Sequence, residues 1–319
     1  MSFETESVLD RRRLRRKLGT WRALAVVAVV GALAVAGYYV SASQKLLGRD
    51  QIARIEIAGL ITDDRKQQKL LKSLRSSDYV KGVIVYINSP GGTTTGAEAL
   101  FEGIRQIAEK KPVVAQFGTV AASAAYIAGL ATDHIVARGN TITGSVGVIM
   151  QWPEFTGLLD KVGIKMNEIK SGKLKAEPSP FRPENPEARE ISKEMIANGH
   201  QWFLGLVKNR RKITTSEVPG LEEGRVYLGR TALKHKLIDE IGGEEQAVNW
   251  LIRKHKLNVK LEVIDWKPPQ DNIWLGGNAM SHVLGYFGIG GGIAEAARHQ
   301  LGLSSLDGLI AVWQPHKTK

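Results

Sequence analysis

No cysteine occurs among the 319 residues, and that absence closes several routes at once. Thiol catalysis, cysteine-ligated zinc and disulfides are excluded, so an oxidising compartment is allowed but not indicated. The chain has no His-Glu-x-x-His pair and no Asp-rich calcium loop, so neither a metal nor any other cofactor is implied. Histidine is sparse. His134, His200, His235, His255, His282, His299 and His316 are scattered. None sits beside a motif with acidic partners at useful spacing, although a Ser-His-Asp triad can assemble from distant positions. Gly288-Ile289-Gly290-Gly291-Gly292 is not a dinucleotide fingerprint, because no strand precedes it and the spacing is wrong. No internal repeat suggests a duplicated domain. Acidic residues are outnumbered, leaving a net charge of +12. With no zinc-finger spacing and no aromatic RNA-binding signature, that balance indicates a membrane-facing protein and no nucleic-acid partner.

Part of the basic excess lies at the start. Residues 1–22 carry Arg11, Arg12, Arg13, Arg15, Arg16, Lys17 and Arg22 against Glu4, Glu6 and Asp10. Residues 23–40 contain no charge; as a helix they rise about 27 Å, close to the ~30 Å hydrocarbon core. Trp21 and Tyr38-Tyr39 stand where interfacial aromatics belong, and the charge asymmetry keeps the N-terminus inside while the rest is exported. The expectation is a basic cytoplasmic N-terminus over residues 1–22 and a transmembrane anchor over 23–43. A cleavable signal peptide is the rival, since Ser41-Ala42-Ser43 offers small residues. The apolar run, however, exceeds the usual ~7–15 residues.

Beyond the anchor, residues 52–57 alternate apolar and polar as a first strand should. Residues 63–76 read as a helix with a Leu70-Leu71-Leu74 stripe. Strand 83–87, helix 95–110, strand 112–117, helix 121–130 and strand 134–137 continue the alternation, which predicts βαβ units around a mostly parallel core. A helix over 152–163 and a strand over 165–169 come next. Pro178, Pro180, Pro183 and Pro186 make 173–186 a loop, and an amphipathic helix spans 187–211. The main domain is expected over 50–265, followed by a Gly-rich C-terminal segment over 266–319. Within that segment residues 306–315 are apolar and extended. They are expected either to lie in a substrate groove of the same or a neighbouring subunit, or to pack on the core.

Two motifs carry the chemistry. Asn88-Ser89-Pro90-Gly91-Gly92 follows one apolar strand, and Val120-Ala121-Ala122-Ser123-Ala124-Ala125-Tyr126 follows another. Each reads as a strand leading through a turn into a helix. Paired glycines present backbone N–H groups, and Ser123 places a hydroxyl beside them, the layout of a serine acyl-transfer site. The backbone N–H groups of Gly92 and Ala124 are the candidate oxyanion donors, with no Cβ at Gly92 to block close approach. Without Ser123 downstream, Pro90-Gly91-Gly92 would read as a plain turn.

Three further stretches complete the pattern: Thr143-Gly144-Ser145-Val146-Gly147-Val148, Lys170-Ser171-Gly172-Lys173-Leu174-Lys175-Ala176-Glu177-Pro178, and Gly224-Arg225-Val226-Tyr227-Leu228-Gly229-Arg230 running into Leu237-Ile238-Asp239-Glu240. In this order they resemble the signal peptide peptidase A family of membrane-anchored serine proteases, in its short single-domain form. Ala124-Ala125 stands where members often carry Gly-Gly, which keeps the site small.

The resemblance implies an α/β, ClpP/crotonase-like fold of repeated ββα units, preceded by one N-terminal transmembrane helix. It implies Ser123 as nucleophile and Lys175 as general base, with Ser145 orienting the amine; otherwise Ser145 is a turn serine. A lysine can act as a base only when neutral, which requires burial and neighbouring dipoles to push its pKa well below the ordinary ~10.4. Lys175 is therefore expected to lose most of its water contact on assembly, and Lys173 is its nearest competitor. Also implied are a dome-shaped homo-oligomer with intersubunit active sites, and cleaved signal peptides as substrates. The location implied is the bacterial cytoplasmic membrane, single-pass, with the catalytic domain on the periplasmic side. Small side chains around Ser123 suggest small apolar substrate residues. Two alternatives remain: a crotonase-type acyl-CoA enzyme, disfavoured by the exported domain, and a non-catalytic membrane scaffold, disfavoured by the presence of both Ser123 and Lys175.

Overall fold

The computed structural model describes residues 48–269 and 310–312, together with isolated helical positions at Trp21, Val27 and Gly31. Most of the expected anchor, the glycine cluster at 288–292 and the rest of the C-terminal segment lie outside the described residues. Among the described residues no helix is long and apolar enough to cross a membrane. The chain divides after Asp50 into two units, of which the larger begins at Gln51.

The centre of this larger unit is a sheet of mostly parallel strands. Strand β1 (Gln51–Ile61) leads to helix α1 (Arg65–Ser76), whose first turn is capped by Asp64 accepting the Lys66 N–H. Strand β2 (Val80–Thr93) then passes into α2 (Thr94–Ala108), and β3 (Val113–Ala122) into α3 (Ala124–Leu130). Strand β4 (His134–Ala137) and β5 (Ile142–Gly144) follow, then α4 (Thr156–Lys161) and the long α5 (Pro186–Arg211). The chain returns through β6 (Val226–Leu228), α6 (Gly229–Lys234), β7 (Glu240–Ile241), α7 (Glu244–His255) and β8 (Glu262–Asp265), and β9 (Ile310–Val312) closes the order. The path across the sheet is β6-β5-β3-β2-β1-β8, with β4 beside β3, β7 beside β4, and β9 beside β2.

Successive side chains of a strand point to opposite faces, and here both faces are covered. Ala53, Ile55, Ile57, Val83, Val85, Ile87, Val113, Ala115 and Phe117 join the apolar faces of α1, α2 and α3, with Phe203 and Val207 of α5 packed into the same core. Ile52, Ile84, Val114 and Val136 face the other way, onto Ala247 and Leu251 of α7. Two covered faces explain why 83–87 is a continuous apolar run, as buried parallel strands usually are.

The alternating α/β order and the long helix agree with the sequence reading, and three differences matter for the site. The stretch Asn88–Gly92, read as a turn, is strand: β2 runs on to Thr93, because β1 offers a ladder beyond a register shift between Ala58 and Leu60. Likewise β3 continues to Ala122, so α3 begins at Ala124 and not at 121. Residues 165–169, expected as a strand, have no regular structure. An alternating segment forms a strand only where a neighbour supplies hydrogen bonds, and Ile164, Met166 and Ile169 stand exposed with no strand beside them.

Strand β3 serves two neighbours in turn. Val114–Phe117 pairs with β4, and Val120–Ala122 pairs with β5. The sheet therefore forks at Gly118, where the Thr141 hydroxyl donates to the Gly118 carbonyl at 2.7 Å.

Candidate active site

Ser123 occupies the junction of β3 and α3, with φ 58° and ψ −123°. L-residues seldom hold such a conformation, which costs on the order of 1–3 kcal/mol and persists only where the surroundings impose it. Here the Ser123 N–H donates to the Gly144 carbonyl at 2.8 Å, and the Ser123 carbonyl accepts the Ile127 N–H at 3.1 Å. A serine preceding a helix usually caps it with its hydroxyl, but Ser123 makes no such bond. Its hydroxyl is left uncommitted in a residue only 1 % exposed.

The Gly144 carbonyl that takes this N–H belongs to a turn of two left-handed residues, Gly144 at φ 88° and Ser145 at φ 52°. The Ser145 N–H donates to the Arg225 carbonyl at 2.9 Å. Thr143, fully buried, donates its hydroxyl to the Ala121 carbonyl at 2.7 Å. Ser145 is thus one residue from the carbonyl that fixes the nucleophile, and Ala124, the other neighbour of Ser123, is the first residue of α3.

The Asn88–Gly92 segment lies on the opposite side of β3. Where the β2–β3 ladder slips between Ile87 and Ser89, Asn88 Oδ1 accepts the N–H groups of Thr119 and Val120 at 3.1 and 3.3 Å. Ser89 is fully buried; its hydroxyl donates to the Gly59 carbonyl at 2.6 Å and accepts the Gly91 N–H at 3.1 Å. A Cβ at Gly92 would lie 1.9 Å from the carbonyl oxygen of Ile61. Glycine is therefore required there by the backbone of β1, whatever approaches from the other side. Asn88, Ser89 and Thr143 were not singled out in the sequence as supports. The available signal was a polar side chain inside a buried strand, which must find a partner.

Strand β9 lies along this segment. Ile310, Ala311 and Val312 pair antiparallel with Thr93, Gly92 and Gly91. The strand edge that ends beside Ser123 thus accepts extended backbone.

Helix α3 is tied down at its far end. Arg210 donates to the carbonyls of Leu130 and Thr132 at 2.8 Å, and Tyr126 donates to the Leu237 carbonyl at 2.7 Å. Complete burial pushes the Tyr126 phenol well above its ordinary pKa, so it remains a neutral donor. Arg211 and Asp239 form a two-point pair at 2.7 and 2.9 Å beside it.

Ser123, Ala124 and Ser145 therefore lie together at the ends of β3 and β5, and Gly92 stands near the end of the neighbouring β2; Lys175 is not among them. Lys175 is exposed on a turn in which its N–H donates to the Gly172 carbonyl at 3.1 Å. Lys173, the competitor, pairs with Glu187 in the first turn of α5 at 2.5 Å. The 26 residues of α5 rise about 39 Å. The loop sits at one end of that helix, and Arg210 clamps α3 at the other. The histidine alternative finds no support at His134, which pairs with Glu240 and stacks on Trp250. His134 lies opposite Val114, about 30 Å along β3 from Ser123 at 3.3 Å per residue. Among the described residues no group of three or more histidines and carboxylates converges to hold a metal.

Comparison with known proteins shows a peptidase family. Residues 105–258 match peptidase family S49. A putative protease of Methanocaldococcus jannaschii is 34% identical over 248 residues, covering 78% of this chain and 77% of the relative. A putative protease of Synechocystis sp. is 34% identical over 241 residues, 74% of this chain and 87% of the relative. A putative signal peptide peptidase of Enterococcus faecium is 32% identical over 210 residues, 65% and 61% of the two chains.

Proposed function

Since the chain belongs to the signal peptide peptidase A family of serine peptidases, peptidase family S49, we propose that it is a membrane-anchored endopeptidase of ClpP/crotonase-like fold, in which Ser123 is the nucleophile and Lys175 of a neighbouring copy the general base. The single observation that carries this reading is β9 lying along Gly91–Thr93. A site that takes extended backbone by strand addition, next to a strained serine with an uncommitted hydroxyl, is built for peptide.

The chemistry follows from these positions. Ser123 Oγ bonds to the scissile carbonyl carbon as its proton passes to the neutral Lys175 amine. The N–H groups of Gly92 and Ala124 receive the oxyanion, a role in which one donor is commonly worth a hundredfold to a thousandfold in rate. The carbon–nitrogen bond then breaks, and the lysine returns its proton to the leaving amine. The same lysine takes a proton from the water that releases the acyl group. The Ser145 hydroxyl orients the amine.

Two features favour a base supplied by another copy. One is the length of α5 between the Lys175 loop and the nucleophile helix. The other is an unpartnered apolar surface on the loop's own arm, where Leu158, Val162, Ile164, Met166 and Ile169 are all at least half exposed. Such a patch marks an interaction surface, and a homo-oligomer would cover it. Cleaved signal peptides at the periplasmic face of the bacterial cytoplasmic membrane are the proposed substrates, the small residues around Ser123 admitting small apolar side chains.

The test is hydrolysis of a short fluorogenic peptide by the full chain, beside Ser123→Ala and Lys175→Ala, with assembly size measured for each. Turnover by the wild type and none by either assembled variant is the expected result. A fully active Lys175→Ala assembly would overturn the dyad, and a fully active Ser123→Ala would overturn the serine mechanism.

A further inference from the structure

The loop that carries Lys175 is closed at its base by four charged side chains. Glu177, only 5% exposed, lies through Oε1 at 2.6 Å from Arg182 Nη2 and 3.3 Å from Lys170 Nζ. Glu168 Oε2 reaches the same two cations at 3.0 Å each. Acid and base thus alternate around a ring that joins the incoming leg, 168–170, to the outgoing leg, 177–182. A second tie holds the outgoing leg to the start of α4, where the Phe155 N–H donates to the Pro180 carbonyl at 2.7 Å and the rings of Phe155 and Phe181 sit 6.5 Å apart. Beyond these ties the tip turns through Ala176 in the left-handed region at φ 60°, and Lys175 stands on it.

Stability is a poor explanation for this ring. Burying ion pairs costs desolvation that their attraction only roughly offsets, and well-packed apolar groups of similar size often do better. The hydrogen bonding here is also incomplete. Glu177 Oε2, Arg182 Nε and Arg182 Nη2 are buried without an aligned partner, the short Arg182–Glu177 approach being close in distance but out of line. What alternating charges supply is uniqueness, since only one pairing of the two legs brings each acid against two bases. A lysine acting as a base needs that more than most side chains, because its stem is long and flexible and a displacement of about 1 Å can cost a hundredfold in rate.

We propose that Glu177 and Arg182, with Glu168 and Lys170, form a charge clasp that sets the conformation of the Lys175 loop, making Glu177 and Arg182 positioning residues for the general base. The proposal rests on Lys175 being that base.

The test uses the full chain and a fluorogenic peptide, with kcat, KM and assembly size measured for Arg182→Ala, Glu177→Gln, Arg182→Lys and the apolar pair Glu177→Met with Arg182→Met. Lys175→Ala is run alongside. Arg182→Ala and Glu177→Gln should lower kcat about tenfold to a hundredfold while KM changes less than about threefold, and Arg182→Lys should recover part of the loss. The apolar pair removes both charges together and so should remain assembled, yet stay slow. Wild-type kcat in assembled Glu177→Gln, or in the apolar pair, would overturn the clasp while leaving the base in place. An active Lys175→Ala would overturn the clasp by removing the base it positions, and that outcome is distinguishable because the other variants are not needed to read it.

Discussion

Ser123 holds a backbone conformation that glycine would occupy at no steric cost, and the hydroxyl is the only part of the residue the chemistry needs. Ser123→Gly should therefore unfold later in urea than Ser123→Ala, by about 1 kcal/mol, with neither variant turning over peptide. Equal midpoints would mean that the strain is not stored in the folded state. Far from the site, Arg54 donates to Asp265 at 2.6 Å, across the β1–β8 edge. That bond holds the Asp265 carboxyl below its ordinary value of 3.8. With the folded pKa depressed, the pair's contribution is present above the unfolded value and is lost as pH falls through the folded one. The pair is largely solvent-exposed, so the effect is at most about 0.5 kcal/mol. Asp265→Asn should lower stability at neutral pH by no more than that amount and flatten the acid limb below about pH 4, the two profiles converging at low pH, as thermal unfolding across pH would read.

Between neighbouring elements, Asn88 does what a ladder hydrogen bond would have done had β2 and β3 stayed in register. Asn88→Ala leaves the N–H groups of Thr119 and Val120 unpaired at the base of the prong that carries Ser123. Thr119 is exposed and Val120 half-buried, so water takes up part of the loss and the cost is about 1 kcal/mol, the low end for an unpaired donor. The variant should lose stability on that order and lose kcat as well, measured by denaturation and peptide turnover together. This region also shows where the sequence was readable. Strand 52–57 and the helices read over 63–76, 95–110 and 187–211 were visible because burial leaves a period of two or 3.6 in apolar residues, and strands 83–87 and 134–137 as short apolar runs between turn signals. Ser123, Ala124, Gly92 and Ser145 were visible as motifs, and the structure places them at the ends of neighbouring strands. The extensions of β2 and β3 were not visible, because Asn, Ser, Pro and Gly signal turns when read locally. What overrides that signal is the partner strand on each side, which belongs to tertiary structure. Lys175 was legible as a residue type in a motif, but Glu168 and Arg182, which lie together across the base of its loop, are far apart in the sequence reading.

In the whole molecule, α5 separates the two halves of the proposed dyad within one copy, which makes complementation decisive. Mixing inactive Ser123→Ala with inactive Lys175→Ala copies should restore about a quarter of wild-type turnover in a randomly mixed ring, where each site draws one residue from each neighbour. No recovery from a verified mixed assembly would mean that each copy is self-sufficient. Strand β9 supplies the second prediction at this scale. A tethered strand competes with free peptide at an effective concentration near millimolar, so deleting residues 306–319 should lower the apparent KM by about tenfold for a substrate binding in the same register. An unchanged KM would place β9's pairing outside the catalytic cycle.

The fork of the sheet at Gly118 has a mechanical consequence. Below it, Val114–Phe117 is locked into the core between β2 and β4; above it, Val120–Ala122 is held by β5, by the Asn88 side chain and by the pairing of Ala121 with Ser89 of β2. The prong is braced to the strands beneath it: β2 runs beside both parts of β3, and Thr141 bridges the fork by accepting the Arg138 N–H at 3.2 Å and donating to the Gly118 carbonyl. Ala121 and Ala122 are fully buried, so amide protons above the fork are expected to exchange with solvent as slowly as those below it, when the whole domain unfolds. Ser123 thus stands on a mount braced from both sides and from below, which fixes where its hydroxyl can be offered.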